Sequence, residues 1–103
     1  MTTRRSNLYT GLATIVQGDG RFKIHCSIAR EQEFVSVGRG QELPAPGSWY
    51  GAFGLLESGF MLDGGNAEIE LDDGRKGLII VTNVSQSPEG GNGRFTGTGD
   101  PPA

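Results

Sequence analysis

The sequence contains one cysteine, one histidine and no long hydrophobic run among its 103 residues. The single cysteine, Cys26, excludes an intramolecular disulfide, which is typical of proteins in a reducing compartment. The single histidine, His25, excludes a metal site built from several histidines. The longest uninterrupted apolar run, residues 78–81, is far shorter than the roughly 20 residues that a membrane-spanning helix needs. We therefore expect a cytoplasmic protein with no membrane partner.

The sequence also lacks a large excess of charge of either sign. Nine lysines and arginines stand against twelve aspartates and glutamates, for a net charge of -3. The basic residues are dispersed from Arg4 to Arg94, whereas a dedicated nucleic-acid-binding protein concentrates them on one face, because neutralised phosphates supply most of its affinity. The charge pattern predicts no nucleic-acid partner.

Glycine is what the sequence has in excess. The chain holds 18 glycines in 103 residues, more than twice the ordinary share of roughly 7%. Glycine and proline together stay below the roughly 25–30% that indicates low-complexity disorder, and no Gly-X-Y period indicates collagen. No window of a dozen residues keeps the apolar stripe of an amphipathic helix, and glycine, a poor helix former, interrupts nearly every candidate segment. The composition favours a sheet with sharp bends.

Alternation with a period of two predicts two β-hairpins. Residues 21–29 alternate apolar and polar side chains, and a glycine-bearing turn at residues 18–20 connects them to a strand over residues 9–17. Residues 67–71 alternate in the same way and continue through an Asp-Gly turn into residues 77–84. The apolar face of the first pattern contains Phe22, Ile24, Cys26 and Ile28. Both patterns are typical of half-buried strands in an antiparallel sheet.

Shorter strands complete the expected architecture. We predict them over residues 33–37, 49–57, 60–62 and 94–98, with loops over residues 41–48 and 85–93. Six or seven short strands with a turn about every ten residues are typical of a small sandwich or barrel. The predicted fold is all-β, a small antiparallel barrel or barrel-like sandwich of six to seven short strands.

One domain accounts for nearly the whole chain. We expect a flexible N-terminal tail over residues 1–7, a single barrel domain over residues 8–99 and a C-terminal tail over residues 100–103. The first strand carries Tyr-Thr-Gly at residues 9–11 and the last carries Phe-Thr-Gly at residues 95–97. This parallel leads us to expect that the first and last strands meet and close the barrel.

Two predicted strands are apolar on both faces. They are residues 78–81 and residues 49–53. A domain of this size has one interior, so a second apolar face needs a second cover. A neighbouring subunit is the simplest cover, and we expect a homodimer.

Cys26 and His25 are the candidates for nucleophile and base. A nucleophile and its base must touch, but neighbours on a strand point to opposite faces. Cys26 shares the apolar face of its strand, which favours a buried structural thiol. His25 lies on the polar face, which favours a solvated side chain. His25 becomes an acid/base candidate only if that polar face lines the interior of the barrel.

The acidic and glycine-rich motifs favour structural roles. Glu68, Glu70 and Asp72 fall on one face of a strand at i, i+2 and i+4, where they could bind a hard cation. A solvent-exposed hairpin face explains these carboxylates better, with their negative charge balanced by Lys or Arg on the partner strand. The Gly-x-Gly pairs lack the third glycine and the helix of a dinucleotide-binding fingerprint. We expect no metal site and no cofactor.

Trp49, Tyr50 and Phe53 form the densest aromatic group. Glycines between them suggest a bent strand on which the rings could line an apolar pocket. Packing in the core and in a dimer interface is the favoured explanation of the rings. If the domain binds a small ligand, these three residues are the first candidate site.

Four groups of residues together resemble a known domain family. They are Tyr9-x-Gly11-x-Ala13, Pro46-Gly47-x-Trp49-Tyr50-Gly51, Asp73-Gly74-Arg75 and Arg94-Phe95-x-Gly97-x-Gly99-x-Pro101-Pro102. They resemble an uncharacterised actinobacterial family of small all-β domains of unknown function. Domains of that family occur alone or appended to the C-terminus of flavin-dependent monooxygenases. The resemblance implies a bacterial cytosolic accessory module with a flavoenzyme as a candidate partner, and it implies no reaction.

These observations lead to one expected function and one alternative. We expect a non-catalytic accessory or small-ligand-binding β-barrel module, associated through the resemblance with flavin-dependent monooxygenase systems. The alternative is a small cofactor-free enzyme that acts on an apolar substrate inside the barrel, with His25 as acid/base. The position of His25 relative to the barrel wall separates the two.

Overall fold

The computed structural model describes residues 2–38, 40–44, 47–56, 62–87 and 90–102. Within these ranges the chain forms seven β-strands and no helix. The strands are β1 (Thr2–Gln17), β2 (Gly20–Ser36), β3 (Glu42–Pro44), β4 (Ser48–Leu55), β5 (Gly65–Leu71), β6 (Lys76–Ser87) and β7 (Gly90–Thr98). The all-β prediction is confirmed, and no helix of the described residues is long and apolar enough to cross a membrane.

Six of the strands close into a ring. The order β1-β5-β6-β7-β4-β2 is completed by pairing of β2 with β1, and every pairing is antiparallel. The short strand β3 adds to β2 outside the ring. The result is a barrel-like sheet, as the alternating patterns predict, although its strands differ greatly in length and the barrel is not regular.

The strands that close the ring are not the expected ones. β1 pairs with β2 and β5, whereas β7 pairs with β4 and β6. The expectation that the first and last strands meet is therefore wrong. The shared aromatic-x-glycine pattern has a different cause in each strand. Tyr9 folds back over Gly11 within β1, whereas Gly97 lies against the indole of Trp49, which comes from another strand.

β1 and β2 are long, with 16 and 17 residues. They are joined by a tight turn in which Gly18 has φ of 59°, a conformation that glycine adopts at little cost. One end of the hairpin contributes to the barrel and the other extends beyond it, so that the molecule measures 57 × 25 × 21 Å. We call the extension, Thr2–Asn7 with Arg30–Ser36 and β3, the arm.

The arm corrects several predicted boundaries. The expected N-terminal tail is strand from Thr2 onward, because Thr2 to Asn7 pair with β2. The strand predicted over residues 33–37 is the end of β2, and Glu42–Pro44 pairs with it inside the loop predicted over residues 41–48. Backbone pairing, which propensity does not record, overrides the polar composition of these segments.

The loop predicted over residues 85–93 is also largely strand. β6 continues to Ser87 and β7 begins at Gly90, with Ser85 opposite Asn92; residues 88–89 lie outside the described residues. The fragment predicted over residues 60–62 lies outside them except for Leu62, which belongs to no strand.

Leu62 nevertheless belongs to the core, with 2% of its surface exposed. Two glutamine amides hold this segment by reciprocal bonds to backbone. Gln86 donates to the carbonyl of Leu62 at 2.9 Å and accepts from its amide at 3.1 Å. Gln17 does the same for Asp63 at 2.8 and 2.9 Å. These two pairs of hydrogen bonds fix an irregular segment against the barrel, because they satisfy backbone groups that have no partner in a neighbouring strand.

The C-terminal segment packs on the barrel as well. Trp49 donates its indole N–H to the carbonyl of Gly99 at 3.0 Å, and Pro102 is buried. The expected tail over residues 100–103 thus lies against the sheet as far as Pro102.

Candidate functional site

The interior of the barrel contains two of the three aromatic residues predicted to bind a ligand. Trp49 and Phe53 point inward from β4 and meet Phe95 of β7. The rings of Trp49 and Phe95 meet edge to face with centroids 6.4 Å apart, and those of Phe53 and Phe95 stack at 6.2 Å. These arrangements are favourable for aromatic pairs, so the three rings pack against one another.

Glycines make room for these rings. A β-carbon on Gly97 would overlap the indole of Trp49, and one on Gly93 would lie 2.6 Å from the ring of Phe53. Gly51 is covered by Phe95 in the same way. Each ring therefore fills the space that an ordinary side chain on the neighbouring strand would take. The predicted aromatic pocket is a packed core at Trp49 and Phe53.

Tyr50 points the other way, onto the outer surface. Its hydroxyl donates to a carboxylate oxygen of Glu31 at 2.8 Å, and this hydrogen bond raises the pKa of Tyr50 above its usual value. The guanidinium of Arg5 lies over the ring, 5.6 Å from its centroid, within the range of a cation–π interaction. The predicted aromatic group is thus divided between the two faces of β4.

Cys26 and His25 occupy opposite faces of β2, as the alternation predicts. Cys26 is 1% exposed among the core side chains, and burial raises its pKa to about 11. The thiolate is the reactive form of cysteine, so this environment suppresses nucleophilic chemistry. His25 lies exposed on the outside of the barrel. The alternative in which His25 acts as acid/base on a substrate inside the barrel requires the opposite placement and has no support in this geometry.

The three predicted carboxylates line the outside of β5 and its turn. Glu70 forms an ion pair with Arg21 at 3.4 Å, and Arg21 comes from β2 and not from the partner strand of the hairpin, β6. Within the described residues no three His, Cys, Asp or Glu side chains come together as a metal site would require. The neighbouring Asp73 is paired with Arg75, and this hydrogen-bonded guanidinium lowers the pKa of the Asp73 carboxyl.

A depression of about 370 Å³ lies on the outer face, where β1, β2, β4 and β7 meet. Its lining includes Tyr50, Arg5 and Arg94, with Ser27, Ala29 and Ala52 between them. Sequence reasoning missed both arginines, because Arg5 falls in the expected tail and Arg94 lies 89 positions further along the chain. No local spacing signals a site assembled from four strands.

A second surface feature is apolar. Leu78 and Ile80 point outward from β6 and are 59% and 38% exposed. They are the outer half of the run that the sequence shows as apolar on both faces, while Ile79 and Val81 are buried. The split confirms that residues 78–81 present one apolar face to the core and one to the outside.

Comparisons of the chain with protein-family models, with curated proteins and with solved structures gave no significant match. The resemblance to the actinobacterial domain family and its flavoenzyme setting therefore stands as an expectation.

Proposed function

We propose that this chain is a non-catalytic accessory module that binds other molecules through the outer surface of its barrel, and that a second copy of the chain is one of its partners. The observation that carries the proposal is the outward apolar pair Leu78 and Ile80, on a barrel whose aromatic interior is packed. An enzyme or carrier that uses the interior needs space and reactive groups there. The described interior offers apolar side chains and one thiol whose pKa is raised.

The surroundings of Leu78 and Ile80 suit contact between identical faces. The residues opposite them on β7 are Thr98 and Thr96, and those on β5 are Glu68 and Asn66. Three of these four neighbours are uncharged, and Glu68, opposite Leu78, is the single carboxylate among them. Burying two aliphatic side chains contributes roughly 1.5–3 kcal/mol each when burial is complete.

The chemistry of the chain also suggests where such a module works. A single buried cysteine needs no oxidising compartment, which supports a cytoplasmic location. The family resemblance adds a bacterial setting and a flavin-dependent monooxygenase as the partner to examine first.

The experiment is a measurement of molar mass by light scattering behind a sizing column. At micromolar concentration we expect about twice the 10.9 kDa of one chain. The Leu78→Lys/Ile80→Lys double variant should elute as a monomer, because it places charge at the centre of the contact. Leu12→Lys is the matched control, since Leu12 is 50% exposed on another strand and should leave the dimer intact.

Two results would contradict the proposal. The first is a clean monomer of the unmodified chain, of about 11 kDa, at micromolar concentration. The second is a dimer that the double variant preserves, which would place the contact elsewhere. Circular dichroism of each variant confirms that the barrel is folded before its mass is interpreted.

A further inference from the structure

The depression on the outer face has a polar wall on each side of a floor of small residues. Ser27 lies opposite Ala52, and Ala52 lies opposite Arg94. In the next row Ala29 lies opposite Tyr50. The central side chains are short, so the side chains of Arg5 and Arg94 stand above the sheet around them. The depression that they enclose has a volume of about 370 Å³. Small-molecule sites begin at roughly this size.

The charge of this depression is positive although the chain is acidic overall. Arg5 and Arg94 both line it, whereas the carboxylate of Glu31 is outside the lining and is held by the Tyr50 hydroxyl. Within the part of the chain that the structure describes, neither guanidinium forms an ion pair. Two like charges around one concavity repel each other, and an anion between them would relieve that repulsion.

The wall formed by Tyr50 and Arg5 is held in position. The hydrogen bond from the Tyr50 hydroxyl to Glu31, at 2.8 Å, directs the ring. The ring in turn carries the guanidinium of Arg5 at 5.6 Å from its centroid. A guanidinium that is already held in its binding position loses less conformational entropy when a ligand binds, and this preorganisation raises the affinity.

We propose that this depression binds a small organic anion, whose carboxylate or phosphate group lies between Arg5 and Arg94. The planar guanidinium matches the geometry of both groups and can bond two of their oxygens at once. Ser27 adds a hydroxyl at the floor, and the ring of Tyr50 adds an apolar wall. The inference does not depend on self-association, since it uses β1, β2, β4 and β7 and involves neither Leu78 nor Ile80.

The test is a titration of the ¹⁵N-labelled full chain, followed by the positions of its backbone amide signals. The probes are inorganic phosphate, benzoate and the neutral analogue benzamide, all at constant ionic strength. We expect saturable shifts with an anion at the amides of Ser27, Gly51 and Ala52, with a dissociation constant of about 1 mM for such minimal probes. Benzamide should produce none of them.

Variants assign the effect to the two arginines. Arg94→Gln and Arg5→Gln should each weaken binding by roughly tenfold or more, the usual consequence of losing a charged hydrogen bond. Arg21→Gln is the matched control, because Arg21 is an exposed arginine paired with Glu70 away from the depression, and it should bind as the unmodified chain does. The side chains of Arg5 and Arg94 are exposed, so both of their variants should retain the fold.

Each outcome bears on the inference. Saturation by benzoate alone identifies a carboxylate ligand, saturation by phosphate alone identifies a phosphate ester, and both results support the site. Absence of saturation with either anion would overturn it, as would equal binding of benzamide or equal loss in Arg94→Gln and Arg21→Gln. The oligomeric state is read separately by light scattering, so failure of one proposal is distinguishable from failure of the other.

Discussion

Gly97 lies beneath the indole of Trp49, and this contact shows what the excess of glycine does at the level of single residues. Trp49 also approaches Gly77, while Phe53 covers Gly93 and Phe95 covers Gly51. A glycine inside a strand ordinarily costs about 0.5–1 kcal/mol against alanine. Here the absent side chain provides the space for a ring on a neighbouring strand, so the local cost is offset by aromatic burial.

Gly97→Ala should destabilise the barrel by about 1–3 kcal/mol, the range for overpacking a filled core. The added methyl group would overlap the indole, and the indole is also held by its hydrogen bond to Gly99. The measurement is chemical denaturation followed by the fluorescence of Trp49, the only tryptophan.

Gly54→Ala is the control for that substitution. Gly54 lies in β4, and nothing lies within 4 Å of the β-carbon that alanine would add there. Its variant should be as stable as the unmodified chain or slightly more stable. If Gly97→Ala and Gly54→Ala unfold at the same denaturant concentration, the ring does not depend on the glycine.

At the scale of elements, the arm differs from the barrel although both are built from β1 and β2. In the barrel, β1 has partners on both sides, with β5 opposite Ala13 to Val16. In the arm, the described pairing of Thr2 to Asn7 is with β2 alone. The side chains of residues 3–7, 30–36 and 42–43 are all exposed or half-buried. Besides the hairpin hydrogen bonds, Arg4 stacks on Phe34 at 5.1 Å within the arm. Where the arm joins β4, Arg5 lies over the ring of Tyr50 and Glu31 accepts the hydrogen bond of its hydroxyl.

Amide hydrogen exchange should therefore be much faster in the arm than in the barrel half of the same hairpin. Exchange rates follow the free energy of local opening, which is small where few apolar contacts are buried. We expect protection of the paired amides in Thr2–Asn7 to be lower by at least roughly tenfold than that of Ala13 and Ile15. Uniform protection along β1 would show that the hairpin opens as one unit.

The same contrast explains which elements can be read from the sequence. Clean alternation, as at Phe22 to Ile28, arises where one face packs on a core, so the barrel parts of β2 and β5 are predictable. Backbone bonds between polar or glycine-rich segments stabilise Thr2–Asn7 of the arm and the Ser85–Asn92 pairing. Such segments carry no periodic pattern, which is why their composition suggests tail and loop.

At the scale of the whole molecule, the ring depends on pairings that are distant in the chain. The order of strands cannot be derived from patterning, because every half-buried strand carries the same type of alternation. The candidate anion site has the same property, since Arg5 and Arg94 become neighbours only after β1, β2, β4 and β7 are assembled. The opposite faces of Cys26 and His25, by contrast, follow from the two-residue period alone and are predictable.

The seam between β1 and β5 is the shortest closure in the ring, with four residue pairs from Ala13–Leu71 to Val16–Glu68. Its centre is the pair Ile15 and Ile69, both with 0% of their surface exposed. A closed barrel cannot open one seam without exposing the common core. Truncation at this pair should therefore destabilise the entire molecule.

Ile69→Ala should lower the free energy of unfolding by about 2–5 kcal/mol, the usual cost of removing a fully buried aliphatic side chain. Leu12→Ala removes a comparable side chain that is 50% exposed and should cost less than 1 kcal/mol. In Ile69→Ala, the denaturation curves from Trp49 fluorescence and from far-ultraviolet circular dichroism should coincide, because two-state unfolding gives every probe the same midpoint. Separate midpoints would mean that the β1–β5 seam opens before the aromatic core. The sheet would then behave as a curved open sheet and not as a closed barrel.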